Sequence, residues 1–366
     1  MATPGHTATL TGNSRRQGNG AVRTDQPRVT ESAADLKSLP ERSGDRDELR
    51  QRLQRLPPGH PSSPVEADGT PRPPEPGLRC SDSPDAQVPG ESDRQPLTDA
   101  EHAEHVKEVR VLLDKARADG LATDRQHTID PAREVWSEQR DAMHDAIIDD
   151  LYARASDVPC ERRAIIAGGL PGAGKSTVLE HHAGIDKSQY LTINPDAIKE
   201  EMAHRDMIPS VSGLSPMEAS DLVHEESSHV AKRLARRAHA DGKNVIWDIT
   251  MSSRISTEGR VNALRAQGYS WIEGVFIDVA VDISASRADS RHREGQDSYQ
   301  AGDGYGGRFI PADLIKAKAD PDWGSCNRKT FEEVKDHFDH WHRYDNSGST
   351  AVLVESSLGK EDHDHH

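Results

Sequence analysis

Eight consecutive residues, Gly169-Leu170-Pro171-Gly172-Ala173-Gly174-Lys175-Ser176, constrain the fold of this chain more than any other stretch. They fit the pattern G-x-x-x-x-G-K-[ST], and each part has its own physical job. Glycines let backbone N–H groups turn inward around phosphate oxygens with no side chain in the way. Lys175 supplies a point charge for the β- and γ-phosphates, and the Ser176 hydroxyl reaches a Mg²⁺ ion. A helix starting near Gly174 adds the positive end of its dipole. The motif also sits where it must, after the apolar run RAIIAG and before a helical pattern. Gly169, Leu170, Pro171, Gly172, Ala173, Gly174, Lys175, Ser176 and Thr177 are therefore the candidate nucleotide-binding residues, with Ser176 as the metal ligand. A cradle of this kind implies nucleotide binding but not a reaction, because switches, motors and kinases share it.

From Arg163 onward the chain alternates strand and helix patterns. YLTIN (190–194), NVIWDI (244–249), WIEGVFIDVAV (271–281) and TAVLVE (350–355) join RAIIAG as about five expected strands. Helical stretches between them imply an α/β fold, a P-loop parallel sheet covered by helices on both faces. A long helix is expected from Ser215-Pro216-Met217-Glu218, which combines an N-cap serine, a proline at the first helical position and a capping-box glutamate. It should run to Asp241 and stop at Gly242, with Met217, Leu222, Val230 and Leu234 in the core. Upstream, Thr98-Asp99-Ala100-Glu101 opens a helix that stops at Gly120, and a second helix spans Ser137 to Ala155. These two read as a helical lead-in covering whatever follows. His337, His340 and His342, with Asp336 and Asp339, read as the polar face of a surface helix rather than a metal site.

Composition separates this part from the chain before it. Only 33% of the 366 residues are hydrophobic, and residues 1–97 hold 14 of the 22 prolines with no Phe, Tyr or Trp. Such a segment buries too little to offset the entropy of ordering its backbone. It reads as a disordered tail with at most a transient helix over 47–56, and its PRPPEPG run (71–77) favours polyproline geometry. The tail is either a docking arm or plain solvated chain. The expected organisation is a tail (1–97), a helical lead-in (98–158), a P-loop domain (159–356) and a polar tail (357–366) whose EDHDHH end binds metal only adventitiously. The formal charge of −16 lies almost wholly after residue 97, since the tail carries 13 Lys+Arg against 14 Asp+Glu. An acidic balance argues against bulk binding to nucleic acid or to an anionic membrane. No run approaches the ~18 apolar residues of a membrane span. The N-terminal MATPGHTATLTGNSRR lacks the apolar core of a secretory signal. Cys80, Cys160 and Cys326 form neither a disulfide framework nor a metal spacing. A cytoplasmic protein is expected.

The other strand ends supply candidate chemistry. Ligands of open α/β sheets sit at the carboxyl ends of strands, so Asp196, in Asn194-Pro195-Asp196, would face the crevice beside Lys175. A carboxylate there can accept the proton of an attacking hydroxyl, although a helix cap is an equal reading. Asp248 ends NVIWDI where P-loop proteins place an acid on the Mg²⁺ side. Ile249 follows it, where a motor ATPase would favour a second acid, which points to a transferase. Thr250 could contact a substrate or cap a helix. Arg287, Arg291, Arg293 and Arg308 gather around a glycine-rich loop, where guanidinium groups suit transferring phosphate. A solvated arginine face is the alternative.

Taken together, AGGLPGAGKSTVL, YLTINPDAIKEEM, SPMEASDLVHEESSHVAKRLA, DGKNVIWDITMSS, RADSRHREG and GYGGRFIP resemble the zeta toxin family in its longer actinobacterial-type form. The blocks occur in the family's order and cover residues 155–347. The resemblance implies a kinase that uses ATP or GTP with Mg²⁺ to phosphorylate UDP-N-acetylglucosamine at the 3′-hydroxyl of its amino sugar, a toxin's route to starving wall synthesis. It implies Lys175 and Ser176 on phosphates and metal, Asp196 as general base, and Asp248 and Thr250 toward the substrate. Arg291 and Arg308 would stabilise the transferred group, with Arg287 and Arg293 as neighbours of the former. Glu226, like Glu225, is a possible substrate contact or a solvated helix residue. Asp rather than Glu at 248 and the longer loop at 302–307 depart from the short toxins and bear on the acceptor. An antitoxin partner is implied, or else the lead-in helices act as a built-in cover. Rival readings are a kinase of another sugar or metabolite, and a nucleotide-dependent binding module.

Overall fold

A computed structural model describes residues 97–358. The tail readings at 1–96, with the transient helix and the polyproline run, and the terminal EDHDHH lie outside the described residues.

The central sheet has six strands: β1 (Arg163–Gly168), β2 (Leu191–Ile193), β3 (Val245–Asp248), β4 (Trp271–Asp278), β5 (His340–Asp345) and β6 (Val352–Ser356). Their spatial order is β6-β5-β4-β1-β3-β2. All neighbours run parallel except β6, which pairs antiparallel with β5. β1 is central and buried on both faces, and its side chains alternate between two cores. Ala164 and Ile166 join Val230, Leu234 and Phe331 on one face. Ile165 and Ala167 join Val178 and Leu179 on the other.

Two sequence expectations change here. The histidine segment is not a surface helix. His340 and His342 lie on β5, in register with Glu273 and Val275 of β4, while His337 sits in a short 3-10 turn. An apolar-run criterion misses HWHRYD because its buried polar groups are matched across strands: Arg343 bonds Glu355 at 3.2 Å and His342 meets Ser356 at 3.0 Å. The sheet therefore has six strands, not five, and its last strand reverses direction. The long helix also starts differently. Ser215 and Glu218 do form the capping box, but residues Glu218–Val223 wind as a 3-10 turn before the α-helix His224–Asp241, which ends at Gly242.

In chain order the helices used below are α1 (Asp99–Ala118), α2 (Glu138–Arg154), α3 (Lys175–His181), α4 (Pro195–His204), α5 (His224–Asp241), α6 (Arg254–Ala266), α7 (Val281–Gln300) and α8 (Cys326–Val334). α1 and α2 begin where expected, with Thr98 and Glu101 forming a capping box and Ser137 standing as the N-cap of α2. They are part of the same packed body. Ile147 and Ile148 of α2 enter the main core, and Val109 and Leu113 of α1 pack on Ala219 and Leu222. Among the described residues, no helix is long and apolar enough to cross a membrane.

Candidate functional site

The loop after β1 turns because its glycines adopt backbone angles closed to other residues. Gly172 has φ +76°, and a Cβ there would lie 2.8 Å from the Ser284 carbonyl oxygen of α7. Gly174 has φ +80°, and its Cβ would lie 2.5 Å from Asn346 Nδ2. The loop is thus pressed against α7 and against the turn after β5. Two side chains hold its carbonyls from behind: Ser284 Oγ donates to Pro171 O at 2.6 Å, and Asn346 Nδ2 donates to Ala173 O at 2.8 Å. Within the turn the Ala173 N–H bonds Leu170 O at 3.1 Å, so donors for phosphate have to come from the remaining N–H groups of the loop and of the first turn of α3. Ser176 and Thr177 are exposed in the first turn of α3.

The ends of β1, β3 and β2 lie side by side, and their polar residues form one chain of contacts. Lys175 Nζ is 3.5 Å from Gly169 O and 3.5 Å from Asp248 Oδ1. Asp248 Oδ2 accepts from Asn194 Nδ2 at 2.9 Å. Asn194 Oδ1 caps α4 through the Asp196 N–H at 2.8 Å. The cap is therefore Asn194, which leaves the Asp196 side chain for other work. Its carboxylate meets Arg308 through Oδ2 and Lys199 Nζ at 3.4 Å through Oδ1, and its side chain stays 44% exposed. Burial pushes the Asp196 pKa up, but the charges and hydrogen bonds of Arg308 and Lys199 outweigh it and hold the group below the usual carboxylate value. An ionised, half-open carboxylate beside a phosphate loop can orient a hydroxyl and take its proton.

The arginines now separate. Arg287 is committed to structure, donating to Asn346 O at 2.8 Å and Gly348 O at 3.3 Å. Arg293 is tied to Asp99 at 2.7 Å and to Leu97 O. Arg291, between them, is exposed and makes no ion pair among the described residues. It lies within electrostatic range of Glu200, as does Arg308, so both arginines belong to the neighbourhood of Asp196. Thr250 is exposed near the end of β3, with Oγ1 3.2 Å from Ser252 Oγ and its carbonyl held by Asn327 Nδ2 at 2.7 Å.

Glu226 does not belong to this site. It is 0% exposed on α5, and its carboxylate is taken up by Arg140 Nη2 at 2.8 Å and His144 Nε2 at 2.6 Å, both from α2. No substrate reaches it, so the reading of Glu226 as a substrate contact is corrected. Asn346 and Lys199 are the residues that sequence reasoning missed. Asn346 follows a strand that the apolar pattern did not reveal. Lys199 sits one helical turn beyond Asp196, a spacing that would have flagged it.

The donors suit an Mg²⁺-nucleotide. The turn of N–H groups and the Lys175 ammonium match phosphate oxygens, and the Ser176 hydroxyl and Asp248 carboxylate are hard oxygen donors.

A sequence model of the zeta toxin family matches residues 149–356. The solved complex of AvrRxo1-ORF1 and -ORF2 with ATP is similar over 65% of this chain and 77% of that one, at 18% identity and a TM-score of 0.51. The same pair with sulphate ions matches over 66% and 78%, at 16% identity and a TM-score of 0.50. The PezAT toxin–antitoxin system of Streptococcus pneumoniae aligns over 61% and 82% at 16% identity, with a TM-score of 0.42 that carries no argument. At such identities these likenesses speak for the fold alone. No curated protein matches the sequence.

Proposed function

The chain belongs to the zeta toxin family, and from that premise we propose that it transfers the γ-phosphoryl group of ATP or GTP to the 3′-hydroxyl of the amino sugar in UDP-N-acetylglucosamine. The observation that carries the reading is Asp196, kept ionised by Arg308 and Lys199 in the same contact chain as Lys175. The acceptor hydroxyl hydrogen-bonds to this carboxylate and gives up its proton to it as the oxygen bonds to the γ-phosphorus. The bond from that phosphorus to the β,γ-bridging oxygen breaks, and the nucleoside diphosphate leaves. Arg291, Arg308 and Lys175 offset the charge on the transferring group. Residues 169–177 bind the nucleotide phosphates, and Asp248 and Thr250 position the acceptor. Ser176 and Asp248 would hold Mg²⁺, which when bound would supply positive charge against the nucleotide phosphates.

Control falls to an antitoxin protein rather than to the lead-in. The ion pairs of α1 and α2 go to α4, α5, α7, Glu218, Asp221 and Asp313, and none goes to residues 169–177 among the described residues. Cytoplasmic placement follows from the proposed acceptor, a soluble nucleotide sugar.

The test is to incubate the protein with labelled ATP and a panel of UDP-sugars and to identify the product by mass spectrometry. A 3′-phosphate on the amino sugar is expected, absent with Asp196→Asn. A phosphorylated product from another sugar would transfer the reading to the rival kinase. ATP binding with no acceptor turned over would favour the binding module.

A further inference from the structure

Away from the cleft, three side chains from two helices converge in a way that phosphoryl transfer does not use. His102 on α1, with Asp289 and His292 on α7, each offer a ligand atom, and the three atoms lie within 4.8 Å of one another. Asp289 and His292 stand one turn apart on a single helix face. His292 is only 2% exposed, and its Nε2 is 3.0 Å from Glu218 Oε1. The other oxygen of that carboxylate, Oε2, accepts from the Ser215 N–H at 2.8 Å and the Ser215 hydroxyl at 3.0 Å. Glu218 is therefore fixed in place as an acceptor facing Nε2, and the tautomer that donates to it from Nε2 has its lone pair on Nδ1. That Nδ1 is buried and has no hydrogen-bond partner among the described residues. A carboxylate on one ring nitrogen and an unused lone pair on the other is the arrangement that orients a metal-binding histidine.

The neighbours complete a donor set. His102, its side chain 7% exposed, meets Asp289 Oδ1 through Nε2 at 3.0 Å. Asp289 is 53% exposed, and with His102 it lines a cavity of about 420 Å³ between α1 and α7. That cavity gives an ion a way in and room for a water ligand. Its two cationic side chains are already paired, Lys107 with Glu104 at 2.8 Å and Arg293 with Asp99 at 2.7 Å. Two imidazoles and one carboxylate with an open fourth position suit tetrahedral Zn²⁺, whereas Mg²⁺ and Ca²⁺ prefer oxygen ligands throughout.

We propose that His102, Asp289 and His292 form a Zn²⁺ site that staples the lead-in helix α1 to α7, the helix that carries Arg291.

The test reads bound metal, so it stands or falls independently of the kinase assignment. The full chain carrying His363→Gln, His365→Gln and His366→Gln, which removes the histidines of the terminal tail, is loaded with Zn²⁺ and dialysed. Metal is then counted by mass spectrometry. One equivalent per chain is expected, lost on adding His102→Gln or Asp289→Asn and retained with His105→Gln, whose ring meets the same Glu218 oxygen at 2.6 Å but lies outside the His102–Asp289–His292 trio. Glu218→Gln should weaken Zn²⁺ binding by about 10–100-fold, the usual effect of removing the partner behind a ligating histidine. Because Asp289 lies at the surface, Asp289→Asn keeps the fold, which circular dichroism checks. Chelation should lower the melting temperature of the background chain and leave that of the Asp289→Asn chain unchanged. No retained zinc in the background chain, equal retention in the His102 and Asp289 variants, or loss in His105→Gln alone would each overturn the site.

Discussion

Asp196 and Glu226 are both carboxylates held low in pKa by side chains from other elements, yet they do opposite things. For Glu226 burial raises the pKa, and hydrogen bonds and charge from His144 and Arg140 bring it down to about 2. Both oxygens of that group are bonded inside the protein, to Arg140 and His144, and it joins α2 to α5. Asp196 has the same kind of partners, Arg308 and Lys199, but half of its side chain remains open to the crevice. The difference is access. A satisfied, enclosed ion pair is architecture, whereas a half-satisfied one at a strand end retains capacity for a substrate.

Substitutions can break this contrast, starting with the largest effect. Asp196→Asn should lower the phosphoryl-transfer rate by about 10²–10⁴-fold, the usual contribution of a positioned general base, while ATP binding measured by calorimetry persists. Wild-type turnover in that variant would remove Asp196 from the reaction. Arg140→Ala should behave in reverse. It strands a buried charge and costs about 3–5 kcal/mol in denaturant unfolding, with the kinase rate per folded molecule unchanged. A folded variant of native stability would show that the Glu226 contact is dispensable.

The acid limb of stability sharpens the comparison further. The folded pKa of Glu226 lies below its ordinary value near 4.5, so its contribution is present above that value and is lost as pH falls toward about 2. The stability gap between the native chain and Glu226→Gln should be level near neutrality and close between pH 4.5 and about 2. A gap that persists unchanged through this window means Glu226 is not ionised in the fold. The smallest effect is expected from Asn346→Ala, which removes the bond to the Ala173 carbonyl. About 1 kcal/mol of stability should go with it, along with a modest loss of nucleotide affinity read by titration.

Much of this was legible because it is local. The cradle writes its conformation into contiguous residues, and Gly172 and Gly174 have positive φ for the reason the pattern requires. Asp196 was placed by the rule that strand ends face the crevice. Glu226 was misplaced because solvation of a helix face depends on what packs over it, and its partners lie 82 and 86 residues earlier in the chain. β5 was hidden because two of its three buried positions, His342 and Arg343, are polar and are matched across strands by Ser356 and Glu355, leaving Tyr344 as the one apolar signal among them. Once β5 was missed, Asn346 had no reason to stand out. The choice among Arg287, Arg291 and Arg293 likewise turned on distant partners, Asn346, Gly348 and Asp99.

The grip that Asn346 exerts has a mechanical consequence. It holds the phosphate loop at Ala173, while Arg287 of α7 holds the same turn through Asn346 O, and Ser284 of α7 holds Pro171. The nucleotide cradle and the arginine helix are thus pinned together as a single fixed jaw. The glycine-rich segment that delivers Arg308 joins that jaw, since Gly307 lies against the His292 carbonyl of α7, which leaves α4 and its Asp196 as the elements that none of these contacts ties down.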